Sequence, residues 1–108
     1  MIIRIFRIEI DPAQRSAFEA GFQSLSVDAV KRSPGILSCE IGMPTRWAPN
    51  TYVMISRWRD EAALIAFAGS EWNAAVIPAG MEQFGHRYSV EHYVIHADPA
   101  GDSPLTPR

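Results

Sequence analysis

Six segments of the chain carry apolar residues at a regular spacing, and their order restricts the fold more than any other feature of the sequence. Ile2 to Ile10 is rich in β-branched residues, as strands are. Phe18, Phe22, Leu25 and Ala29 then recur along one helix stripe. "GILSCEIGM" and "TYVMISRW" return to strand character, and a second helix runs from Glu61 to about Ala68, with Leu64, Phe67 and Ala68 facing inward. "HRYSVEHYVIH" is the last strand. The order β-α-β-β-α-β predicts an α+β, ferredoxin-like fold, with a four-stranded antiparallel sheet and both helices on one face.

The boundaries have their own chemistry. Asp11 is placed to cap the first helix, and Pro12 suits its first position. Ser33-Pro34-Gly35 ends that helix, because the residue before a proline avoids helical geometry. Asp60 caps the second helix, and Gly69-Ser70 interrupts it. A further helical piece follows, with Trp72, Ala75, Val76 and Ala79 on one side. Between the middle strands, "PTRWAPN" is too long for a tight hairpin and holds Trp47 near its tip. Residues 1–96 read as one domain, and residues 97–108, rich in Pro, Gly and Ser, as a flexible tail.

Strand alternation assigns side chains to two faces. One face collects Ile2, Phe6, Ile8, Ile10, Leu37, Cys39, Ile41, Met43, Tyr52, Met54, Trp58, Tyr88, Val90 and Val94. The other collects Ile3, Ile5, Ile36, Val53, Ile55, Tyr93 and Ile95, mixed with Arg7, Glu9, Glu40, Arg57 and Glu91. Two helices cover one face only. A wet apolar patch of this size is rare on monomers, so a homodimer through the second sheet faces is expected. The interspersed Arg and Glu would pair across or around that interface.

Several function classes are disfavoured. A net charge of -2, with dispersed arginines, argues against nucleic-acid binding. The opening "MIIRIFRIEI" is too short and too charged for a membrane span or secretory segment, and one cysteine allows no intrachain disulfide, so a cytoplasmic protein is expected. His86, His92 and His96 share one face of the last strand, but about 3.4 Å per residue puts the nearest pair on the order of 13 Å apart, too far for one metal ion. No nucleophile elbow or phosphate-binding glycine loop occurs. Cys39, on an apolar strand face, reads as a buried structural thiol.

A strand ending in Trp58, then Asp60-Glu61-Ala62, a short helix and a break at Gly69-Ser70, with "SPGIL" (Ser33 to Leu37) upstream, resembles the antibiotic biosynthesis monooxygenase family of the dimeric α+β barrel superfamily. The resemblance covers about residues 2 to 96. It implies a homodimeric barrel with a pocket in each chain between sheet and helices. It also implies oxygenases without metal or flavin acting on anthrones, naphthols or quinols, a haem-degrading branch, and members with no established activity. Many members carry His where this chain has Phe67. The haem-degrading branch has a haem-ligating His at the place of Ile77 and an Asn on the first strand, which "IIRIFRI" lacks. No haem or other cofactor is therefore expected.

Oxygenation without a cofactor needs a base, an apolar cavity and a donor that stabilises the substrate anion. The resemblance and the side-chain chemistry together nominate His86 as base and Asn73 to orient a hydroxyl or carbonyl. Trp58, Phe67 and Trp72 would form flat walls, Tyr52 and Tyr88 would supply hydroxyls, and Arg87 is the candidate anion stabiliser. A packing role stands beside the pocket role for Trp58 and Phe67. The expected activity is a cofactor-independent monooxygenase of a small aromatic, quinol or polyketide-like substrate. The alternatives are a non-catalytic small-ligand-binding barrel and an isomerase or lyase using His86.

Overall fold

A computed structural model describes residues 1–70, 81, 84 and 87–96 of the chain. Strands β1 (Ile2–Glu9), β2 (Ile36–Gly42), β3 (Thr51–Trp58) and β4 (Tyr88–Val94) form one sheet in the order β2-β3-β1-β4, every neighbouring pair antiparallel. Between β1 and β2 runs a helical arm: a 3-10 turn (Pro12–Gln14), α1 (Arg15–Gly21), a π turn (Phe22–Ser26) and α2 (Val27–Lys31). Helix α3 (Glu61–Ala68) follows β3. This is the ferredoxin-like α+β fold expected from the element order. No helix among the described residues is long and apolar enough to cross a membrane.

The caps form where their residues predict. Asp11 Oδ1 accepts from the Ala13 amide at 2.9 Å, and Asp60 Oδ1 accepts from the Ala63 amide at 2.9 Å. The Ala63 amide, and then Arg59, hold the Asp60 carboxyl below the usual carboxylate range. Gly69 ends α3 with a positive φ of 87°. Gly35, at φ 84°, makes the turn into β2, and a Cβ there would lie 2.4 Å from Ala63 Cβ. Only a glycine lets the chain pass so close to α3.

The core lies between the helices and one sheet face. Ile2, Ile8, Tyr52 and Trp58 contribute from the sheet, Phe18, Phe22 and Val30 from the helical arm, and Leu64 from α3. Phe18 is the hub of an aromatic cluster, 4.8 Å from Phe22, 4.7 Å from Tyr52 and 5.3 Å from Phe84 between ring centres.

Two local irregularities correct the predicted faces. Ile36 pairs with Trp58 and Ser38 with Arg57, so β2 carries one extra residue, Leu37, at a bulge. Ile36 therefore packs on the core while Leu37 is 56% exposed, the reverse of strict alternation. In the arm, the Val27 amide donates to the Phe22 carbonyl five residues back. This wider turn rotates Leu25 out of the predicted stripe, to 41% exposure, and brings Ser26 and Val30 inward. Ser24 Oγ donates to the Ala20 carbonyl at 2.8 Å, a contact that competes with the regular helix ladder at this place. On edge strand β4, Tyr88 and Val94 are exposed, although alternation placed both on the core face.

Candidate functional site

The cavity arises where the helical arm arches over the middle of the sheet. It has a volume of about 40 Å³. Phe6, Ile8 and Met54 floor it, and Phe18, Phe22 and Val30 roof it. Phe67 closes it from α3, and Met81 and Phe84 line it further along the chain. Its polar lining, among the described residues, is Arg4, Ser26 and Ser56.

These polar groups follow from strand register. Arg4 on β1 pairs with Ser56 on β3 and with His92 on β4, and Ser56 pairs with Cys39 on β2. Cys39, Ser56, Arg4 and His92 thus form one row across the helix-covered face, with apolar rows above and below. Arg4 is only 4% exposed and Ser56 2%. Arg4 Nη1 lies 2.9 Å from His92 Nε2, and the guanidinium carbon stands 5.8 Å from the centre of the Phe67 ring. An arginine only donates, so Nε2 accepts and the imidazole is neutral with its proton on Nδ1. Burial first, and the Arg4 charge second, hold His92 below its ordinary value of 6.5. Burial lowers Arg4 to about 10, which still leaves it a cation at neutral pH.

The expected site residues separate into groups. Phe67 lines the cavity. Trp58 is fully buried behind it, with Nε1 donating to Ser56 Oγ at 3.0 Å and its ring 5.0 Å from Phe67. Trp58 therefore supports two lining residues from below. Tyr52 is also fully buried, under α1 and away from the lining. Its hydroxyl donates to Glu19 Oε2 at 2.5 Å and accepts from Arg15 Nε at 3.1 Å. Burial, and then the Glu19 contact, raise its pKa. Tyr88 lies on the edge strand, 44% exposed, with its ring 6.1 Å from Phe6. Trp72, Asn73 and His86 lie outside the described residues.

Arg87, the expected anion stabiliser, pairs instead with Glu9 at 2.6 Å on the surface. The cation at the cavity is Arg4. A signal for it exists in the sequence, since Arg4 shares the parity of Ile2, Phe6 and Ile8. A charge inside an apolar alternation is the informative exception. Cys39 is half-buried, and burial pushes its thiol up, which suits a packed side chain better than a nucleophile. Among the described residues no three His, Cys, Asp or Glu side chains gather closely enough to hold a metal ion.

The fold recurs in solved structures. One is a single-residue mutant of MhuD with two manganese protoporphyrin IX bound per active site, 21% identical at a TM-score of 0.63, covering 91% of this chain and 97% of that one. A second is an antibiotic biosynthesis monooxygenase, 18% identical at a TM-score of 0.66, covering 89% of this chain and 99% of that one. A third is Rv0793 from Mycobacterium tuberculosis, 17% identical at a TM-score of 0.65, covering 91% and 97%. Identities this low establish the fold alone. No curated protein matches the chain. The family model described as antibiotic biosynthesis monooxygenase matches residues 1–77, most of the chain and nearly all of the elements that build the cavity, and the chain belongs to that family.

Proposed function

We propose that the protein is a cofactor-independent monooxygenase of a small aromatic, quinol or polyketide-like substrate, which binds between the sheet and the helical arm. The observation that carries this reading is an apolar, aromatic-lined cavity with a buried cation in its wall, in a chain of the monooxygenase family. A deprotonated phenol or enol passes one electron to dioxygen, and the radical pair closes to a C–O–O⁻ peroxide. After protonation, loss of water from a carbon that still bears hydrogen leaves a new carbonyl, with one oxygen atom in the product and one in water. The protein's part is to exclude solvent and stabilise negative charge. Phe6, Phe18, Phe22 and Phe67 supply flat apolar contact, and Arg4 the charge.

His86 as base, and Trp72 and Asn73 as contacts, carry their roles by sequence position. His86 follows Phe84, a lining residue, by two places. Against a porphyrin ligand stand the volume of about 40 Å³ and the described lining, which holds Phe67 and no imidazole. The same volume has room for water or dioxygen, so a one-ring substrate requires the phenylalanine walls to part. A homodimer through the open sheet faces belongs to this reading, since it would turn two sheets into one barrel.

A second reading, a barrel that binds a small ligand without turning it over, is favoured by the absence of a carboxylate or imidazole from the described lining. Oxygen uptake with a panel of quinols, naphthols and anthrones separates the two. The monooxygenase reading expects uptake that falls at least about tenfold in His86→Ala, on the scale of general-base catalysis. Binding without uptake selects the ligand-binding barrel, and turnover under strict anaerobiosis selects an isomerase or lyase.

A further inference from the structure

The row across the sheet has a feature that the general oxygenase scheme does not require. Its two most enclosed polar members, Arg4 and Ser56, face the same cavity from adjacent strands. Ser56 Oγ already accepts from Trp58 Nε1, so its hydroxyl proton is left to donate, and among the described residues it has no acceptor. A guanidinium presents N–H donors in a planar fork and has no acceptor at all. The π turn adds Ser26 to the opposite wall, where an ordinary helix would have carried Leu25 inward. The site therefore offers donors and a positive charge within walls that are otherwise hydrocarbon.

A phenol entering such a space meets two opposed effects. Removal from water disfavours its ionised form, while a cation and hydroxyl donors within hydrogen-bond reach favour it. The low-dielectric walls strengthen the second effect as well as the first. We infer that the cation wins: Arg4 with Ser56 selects the ligand as an oxyanion, an ionised phenol or enol, over its neutral form. This rests on the reading of the cavity as the substrate site, and it deepens that reading in one respect. A substrate held as its oxyanion is already in the form that passes an electron to dioxygen, and His86 keeps the role of taking up its proton.

The test uses the full chain with 4-nitrophenol, whose ionised form is coloured, and nitrobenzene as its neutral counterpart. Titrating the colour of the bound probe gives its apparent pKa. The inference expects that value about one unit or more below the free probe's, the size produced by an opposite charge at close range. Arg4→Met weakens binding of the ionised probe about tenfold and leaves nitrobenzene within about threefold, as for loss of one charge-assisted contact. Ser56→Ala reduces the shift in part. If Arg4→Met does not fold, the wild-type titration and Ser56→Ala decide the matter. Nitrobenzene binding together with an unshifted or raised probe pKa overturns the inference and leaves the cavity as a neutral-ligand site. If neither probe binds, the cavity is not a ligand site, and the functional reading falls together with the inference.

Discussion

Arg4 and His92 are 88 positions apart in sequence and 2.9 Å apart in space, joined by the register of β1 with β4. The contact fixes a protonation state as well as a geometry. The fold favours neutral His92, so its pKa lies below the value of 6.5 that it regains on unfolding. Below pH 6.5 the unfolded chain takes up this proton first. The contribution of His92 to stability is therefore complete above 6.5 and is lost as pH falls through the folded value. Thermal melting of the wild type against His92→Gln, from pH 7.5 down to 5, is expected to show the wild type losing stability faster between 6.5 and 5. Parallel curves would mean that the imidazole carries no such penalty. The same residue scale explains Phe67. It lines the cavity as a hydrocarbon wall, beside a guanidinium rather than a metal ligand.

Elements in this fold owe their usefulness to departures from regularity. The π turn replaces Leu25 with Ser26 at the cavity, and the β2 bulge sends Leu37 outward while keeping Ile36 on the core. The turn into β2 shows what such packing demands. Gly35 and Gly69 both have positive φ, but a Cβ at Gly35 would press into Ala63, whereas at Gly69 nothing lies within 4 Å. Gly35→Ala is expected to cost about 4 kcal/mol, from positive-φ strain plus overpacking, and Gly69→Ala about 2 kcal/mol, from strain alone, since its φ of 87° and ψ of -179° lie in a region used almost only by glycine. Urea denaturation of the two variants measures the difference. Equal losses would show that α3 yields to the added methyl.

At the scale of the whole molecule, the unanswered side of the sheet dominates. Ile3, Ile5, Val53 and Ile55 form a strip on the face without helices, half-buried in the single chain. Charged residues flank the strip and are paired within the chain: Arg7 with Glu91, Arg57 with Glu40 at 2.7 Å and Arg87 with Glu9 at 2.6 Å. Strand alternation alone predicts Arg7, Glu9, Glu40, Arg57 and Glu91 on this face, pairing across or around an interface. Paired internally, they cost a partner less desolvation than lone charges would, and the apolar strip is left to drive association. The proposed dimer makes Ile5 and Ile55, directly opposite in register, central to both copies. Ile5→Glu is expected to give a folded monomer by sedimentation where the wild type sediments as a dimer. A wild type that stays single at micromolar concentration would remove the barrel from the proposed function.

Among the described residues, the sequence by itself determined the order and type of the main elements, because each is written in local spacing: alternation for strands, the Phe18 and Phe22 stripe for the arm, Asp60 and Gly69 for the ends of α3, while the helical piece expected around Trp72 to Ala79 lies outside the described residues. It also turned Phe67 inward, towards the cavity it lines, since helix period and element order together aim it at the sheet. Tertiary structure alone decided which polar groups meet. Arg4, Ser56 and His92 come from three strands, and their row exists only once the register β3-β1-β4 is set. Register depends on how turns, the bulge at Leu37 and the wide turn at Phe22–Ser26 settle against a common core. Those are energies of packing between distant segments, and no local pattern records them.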